Sequence, residues 1–95
     1  MSRKEVVAIR NVKFEKGRYP KKYTAILPDG KRVHFGDQRY RHYKDTVPKR
    51  QGGKQWTHKD HLDPKRRRSY RARHGARDHH KKTHSPAWFS YHFLW

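Results

Sequence analysis

Nine cationic side chains stand between positions 65 and 82, namely Lys65, Arg66, Arg67, Arg68, Arg71, Arg73, Arg77, Lys81 and Lys82, and one acid, Asp78, opposes them. Arginine dominates the run, and its planar fork pairs two N–H donors with two phosphate oxygens. The chemistry on offer is therefore phosphate binding, which positions a protein on a strand or duplex without reading its bases. In most proteins a charge run is a solvated face balanced by acids elsewhere. That balance is missing here: the chain carries 26 Lys plus Arg against 8 Asp plus Glu, a formal net charge of +18. Such an excess is the electrostatic footprint of a polyanion binder. Lys65-Arg66-Arg67-Arg68 also has the form of a nuclear localisation signal, and one patch can serve both ends.

The other reactive residue types give less. His58 and His61 lie near Asp60 and Asp63, and His79, His80 and His84 form a second group. Structural zinc sites usually draw on cysteine, of which there is none, and neither group has an established ligand frame. No metal and no cofactor are expected; the histidines read as extra phosphate donors that charge as the pH falls toward ~6.5. Asp29, Asp37 and Asp63 occupy turn or cap positions, while Glu5, Glu15 and Asp45 are scattered. No glycine-rich phosphate loop, nucleophile elbow or paired-carboxylate motif appears, so neither catalysis nor a small-molecule substrate is expected. Tyr40 and Tyr70, set among arginines, are the candidates for stacking on bases. Phe35, Trp56 and Trp88 read as core.

These groups need elements to hold them. Val6, Val7, Ile9, Val12 and Phe14 predict a strand over residues 5–14, broken near Asn11. Two short runs, YTAIL at 23–27 and RVHFG at 32–36, flank Pro28-Asp29-Gly30-Lys31. Proline presets this turn and glycine supplies the positive φ, which predicts a β-hairpin with Val33 and Phe35 on one face. Asp37 reads as the N-cap of a short helix through Lys44, with Tyr40 and Tyr43 on one side. Gly52-Gly53 marks a loop, and Thr57 opens a turn capped toward Asp60. Asp63 followed by Pro64, with Gly75 at the far end, predicts the arginine-rich helix over 64–74. Arg77 to His84 is expected to be mobile or ordered by a partner. The last ten residues, PAWFSYHFLW, reverse the composition: Trp88, Phe89, Phe93 and Trp95 either complete the core or anchor in a neighbour.

Only 31% of the residues are hydrophobic, which with the charge points toward disorder, but aromatic residues make up 14% and argue for a thin aromatic core. The fold class expected is a small α+β domain: a β-hairpin plus an added strand, two or three short helices, and a C-terminal aromatic segment closing the core. Residues 1–22 read as an N-terminal strand, arm and connector, and 23–95 as the basic domain. No apolar run is long enough to span a bilayer, and Met1 to Arg10 lacks the apolar stretch of a signal peptide, so no membrane and no secretory address are expected.

Three ordered blocks then stand out: KKYTAILPDGKRVHFGDQRYRHYKDTVP, WTHKDHLDPKRRRSYRARHGA and SPAWFSYHFLW. Together they resemble small, uncharacterised basic proteins encoded by nucleocytoplasmic large DNA viruses, among them iridoviruses and the mimivirus-like and phycodnavirus-like giants. The resemblance runs from about Lys21 to Trp95, and leaves residues 1–20 and the stretch from Asp78 to Lys82 outside it. It implies a viral protein of the virion or its genome, present in the host nucleus or a cytoplasmic virus factory during infection, and it carries over no catalytic residue. The function expected is binding of nucleic acid, with genomic DNA preferred to RNA. The rivals are a minor capsid protein whose cations meet acidic capsid subunits, and a basic protein of an RNA–protein assembly.

Overall fold

The computed structural model describes residues 8–75 and 81–95. Three antiparallel strands form one sheet in the order β1 (Lys13–Lys16), β2 (Tyr23–Ile26) and β3 (Arg32–Phe35). The β2–β3 hairpin follows the turn chemistry: Gly30 N–H donates to Leu27 O at 2.8 Å, Leu27 N–H donates to Lys31 O at 2.9 Å, and Asp29 Oδ1 accepts from Lys31 N–H. Gly30 sits at φ +88°, the left-handed region a side chain would resist. Register places Phe14 opposite Ala25 and Ala25 opposite Val33, with Tyr23 opposite Phe35. With the strand period of two, these five side chains share the buried face.

Helix α2 (Pro86–Phe93) closes that face. Its start is written locally: Ser85 accepts from Trp88 N–H and Pro86 takes the first helical position. Phe89 stacks on Phe35 with centroids 5.1 Å apart and meets Phe14 edge-on at 5.8 Å, while Trp88, Phe93 and Leu94 complete the cluster. The molecule is α+β, with the C-terminal aromatic residues inside its core. Ile9, Val12 and Phe14 belong to the same cluster as residues beyond 23, so the core runs across position 22.

Two expected elements differ. The chain over Ile9–Asn11 turns, with Val12 N–H donating to Ile9 O and Asn11 at φ 63°, so β1 begins only at Lys13. Asparagine is among the few side chains that tolerate that conformation, and it ends the apolar run as a strand. Residues 5–7 of that expected strand lie outside the described residues.

The helix expected from Asp37 to Lys44 is absent. Asp37 spends its carboxylate on Arg39, accepting from the backbone N–H at 2.9 Å and from the guanidinium at 2.8 and 3.0 Å. Beyond Tyr40 the chain runs through residues 41–47 and gives its backbone to distant partners. His42 pairs with residues 59–61, Tyr43 O accepts from Leu62 N–H, and Lys44 and Thr46 donate to Leu94 O and Phe93 O. Long-range partners outcompete a local helix that has no apolar stripe to bury.

The 3₁₀ turn Lys49–Gln51 and the glycines after it cover the free edge of β1. Gln51 Nε2 donates to Ile9 O and Val12 O, and a Cβ on Gly52 would lie 1.8 Å from Phe14 O. A second 3₁₀ turn, Thr57–Lys59, follows Trp56; no side-chain cap opens it, contrary to the role expected of the Thr57 hydroxyl. Helix α1 (Pro64–Gly75) spans the arginine-rich stretch, with Asp63 Oδ1 accepting from Lys65 N–H at 2.9 Å.

Candidate nucleic-acid interface

A buried polar chain fixes the platform on which α1 rests. Lys22 Nζ donates to His42 Nδ1 at 2.7 Å, and the hydrogen left on Nε2 is donated to Asp60 Oδ1 at 2.6 Å. Burial, then the adjacent Lys22 charge, holds the His42 pKa down to about 4. Burial likewise lowers Lys22 to about 8. Asp60 Oδ1 also accepts from Asp45 N–H. Asp45 in turn accepts from the Tyr23 hydroxyl and from Trp56 N–H and Val47 N–H, and burial raises the Tyr23 pKa. Residues 41–47 and 56–62 are thereby locked together beneath the helix.

Helix α1 seats itself with an unusual stripe. Arg67, Tyr70, Arg71 and His74 recur at i, i+3, i+4 and i+7 and are its half-buried residues, where apolar side chains would ordinarily stand. Three of them, Arg67, Tyr70 and Arg71, converge on Trp95. Tyr70 lies parallel to the indole with centroids 4.1 Å apart and also stacks on His74 at 4.0 Å. Arg67 Nε and Arg71 Nε both donate to the Trp95 main-chain oxygen, at 2.8 and 3.1 Å. The same guanidiniums lie over Tyr43 and Tyr91, 4.8 and 4.6 Å from the ring centres. Cation–π and hydrogen-bond contacts thus replace hydrophobic packing on this helix.

The exposed residues of α1 border two open grooves. One, of about 570 Å³, runs between the helix and residues 39–41; Lys65, Arg66 and Arg73 stand on the helix side, Arg39, Tyr40 and Arg41 across from them. Among the described residues, no Asp or Glu side chain lines it. His61 lies in its wall: Nδ1 accepts from Asp63 N–H, so Nε2 carries the hydrogen, and that buried donor has no partner among the described residues. Burial and then Arg66 lower the His61 pKa. The second groove, of about 540 Å³, lies along the opposite flank between Tyr43, Arg68 and Ala72. A polyanion laid in either meets fixed positive charge at several points along its length.

The residues singled out in the sequence therefore separate into distinct environments. Lys65, Arg66, Arg68 and Arg73 are exposed on the helix, whereas Arg67 and Arg71 are half-buried and engaged with Trp95. Lys81 and Lys82 stand on the turn before α2 and line neither groove. Arg77, Asp78, His79 and His80 lie outside the described residues. Tyr40 is 65% exposed in the first groove, while the ring of Tyr70 is already stacked against Trp95 and His74. Phe35, Trp56, Trp88, Phe89 and Phe93 are buried, and Trp95 is half-buried.

His58 packs on Trp56, and His84 Nε2 donates to Ala8 O while the ring stacks on Phe89. Among the described residues, no three His, Cys, Asp or Glu side chains are grouped so as to hold a metal ion, and no helix is long and apolar enough to cross a membrane. Arg39 and Arg41 were not among the expected interface residues. Their alternation with Tyr40 was the available signal, hidden by the helix expected there.

A family of unknown function, DUF5754, matches residues 15–51, which take in most of the sheet and the segment carrying Arg39 to Arg41 but neither helix. No curated protein and no solved structure matches the chain.

Proposed function

We propose that this protein binds nucleic acid through phosphate contacts, without an enzymatic activity, as a genome-associated component of a large DNA virus particle. The observation that carries the binding reading is the groove between α1 and residues 39–41, where Arg41, Lys65, Arg66 and Arg73 converge with no Asp or Glu among the described lining residues. Nearby acids are committed elsewhere: Asp29, Asp37 and Asp63 to turns and a cap, Asp45 and Asp60 to the buried chain. The hydrogen-bonded chain Lys22–His42–Asp60 has the ingredients of a proton relay, but Lys22 and His42 are 2% and 1% exposed, out of reach of a substrate. The viral assignment rests on the sequence resemblance.

Titration against a labelled DNA duplex at three salt concentrations tests the reading. Five exposed cations, Arg41, Lys65, Arg66, Arg68 and Arg73, give an expected slope of log affinity on log salt of about −4 to −5, at roughly −0.9 per phosphate neutralised. A slope near zero removes nucleic acid as the partner and leaves acidic capsid subunits as the account of the same charges.

A further inference from the structure

The half-buried stripe of α1 fixes which way the rest of the helix looks. Residues advance about 100° each around a helix, so the line opposite Arg67, Tyr70, Arg71 and His74 runs through Lys65, Ser69 and Ala72. All three are exposed. Over its middle the outermost ridge of the most cationic element therefore carries two small side chains, with Lys65 alone at its first turn. The arginines are displaced to its sides, with Arg66 and Arg73 on the flank of the first groove and Arg68 on that of the second.

A helix built only to hold polyanions by charge has no need of this arrangement, since arginine on the crest would reach furthest. Small residues on the crest with cations on both shoulders suit a helix that enters a groove whose two rims are negative. The B-form major groove is about 12 Å wide, and a helix with its side chains measures about 10–12 Å across. Twelve residues, Pro64–Gly75, give α1 a length of about 18 Å. Bulk at Ser69 or Ala72 would hold the helix out of such a groove. With Ser and Ala there, the backbone can approach the base edges while Arg66 and Arg73 meet the phosphates of one strand and Arg68 those of the other.

We infer that α1 is a major-groove helix and that the preferred ligand is B-form duplex DNA. This deepens the nucleic-acid reading above and rests on it. The major groove of an A-form RNA duplex is deep and too narrow for side chains to enter, so the same helix has no equivalent seat there. Binding stays weakly selective for sequence, because on this ridge only Lys65, at the first turn, can reach a guanine edge, while Ser69 offers a hydroxyl and Ala72 a methyl contact.

The experiment compares, by fluorescence anisotropy at low salt, a DNA duplex, an RNA duplex of the same sequence and the separate strands. The DNA duplex should bind at least roughly tenfold more tightly than the RNA duplex. The Ser69→Trp, Ala72→Trp double variant should lose roughly tenfold on DNA duplex and stay within about twofold on single strands, since charge is unchanged and only entry is blocked. Both positions are exposed, and an unchanged melting temperature checks the variant's fold. With the wild-type protein, methylating guanine N7, a major-groove atom, should weaken binding. Equal affinity for the RNA duplex, a tryptophan variant that binds duplex DNA like wild type, or indifference to N7 methylation each overturns the groove-entry inference while leaving phosphate binding intact. Failure to bind any of the three ligands takes down the nucleic-acid reading itself.

Discussion

Lys22 Nζ lies 2.7 Å from His42 Nδ1 in a part of the core where neither side chain reaches solvent. The charged ammonium donates, the imidazole must accept, and a second proton on that ring would face a neighbouring cation without water to spread the charge. Asp60 on the far side of the ring compensates only in part, and the His42 pKa stays near 4.

Stability should therefore fall on acidification. Above pH ~6.5 both folded and unfolded chains hold this ring neutral; below it the unfolded chain takes the proton first, so folding loses ground down to about pH 4 and no more from this group below that. The size is about 3 kcal/mol, at ~1.4 kcal/mol for each tenfold difference in proton affinity between the two states. Urea unfolding at several pH values across this window measures it. Replacing Lys22 by Met removes one cause of the depression, so the folded pKa should rise and the acid loss shrink; a loss unchanged by Lys22→Met would contradict the coupling.

The arginines of α1 should divide into two sets with different phenotypes. Arg67→Ala and Arg71→Ala remove the contacts to Trp95, Tyr43 and Tyr91 and should lower stability by about 1.5–3 kcal/mol each, in the range of hydrogen bonds to charged groups. Arg66→Ala, Arg68→Ala and Arg73→Ala together should leave the melting temperature nearly unchanged and flatten the salt slope by about three units. Thermal melts and salt titrations of the two sets separate these outcomes. A set that behaved alike in both assays would show that seating and binding are not divided as described.

Phe89 and Phe93 are wholly buried at the meeting of α2 and the sheet. Truncating either to Ala should cost about 3–5 kcal/mol, a large part of the ~5–15 kcal/mol available to a domain. Tyr40→Ala, at an exposed ring, should stay within about 0.5 kcal/mol and report on ligand binding alone. Denaturant midpoints decide this directly, and a Phe89→Ala protein as stable as wild type would remove α2 from the core.

The glycines give a graded test. Gly30→Ala has open space and meets only the backbone cost of its positive φ, about 1–2 kcal/mol. Gly52→Ala adds a Cβ 1.8 Å from Phe14 O to a residue already at φ 105°, so its loss should be distinctly larger. Equal losses at the two positions would mean that the 49–53 cover lifts away from β1 without penalty.

How much of this was legible in the sequence depended on how local its cause was. The hairpin followed from Pro28-Asp29-Gly30 and α1 from Asp63-Pro64 with Gly75, because each is decided by residues within a turn of one another or by caps at its two ends. The start of α2 was equally local, in Ser85 and Pro86, yet the aromatic density of the segment pointed to burial rather than to helix formation. The stretch from Asp37 to Lys44 misled, since its cap residue was real but captured by Arg39, and its backbone partners lay as far off as Phe93. The Lys22–His42–Asp60 chain joins three distant positions and had no local signature. The arginines of α1 were visible as charges; that Arg67 and Arg71 face inward was encoded in their i, i+4 spacing with Tyr70 between them, a stripe that a search for apolar residues passes over.

The contact between Phe14 and Phe89 joins residues near opposite ends of the described chain. A ribosome making this protein releases the hairpin early, and that hairpin can pair its strands while its inner face stays wet. The interior has no second wall until α2 has been made, so folding waits for it and must then close a very long loop between Phe14 and Phe89. Long-range closure of this kind is slow relative to local pairing. During that delay the nascent chain exposes Phe14, Tyr23 and Phe35 together with most of its positive charge. If the chain binds nucleic acid as proposed above, the charges that hold it are on offer before the core exists.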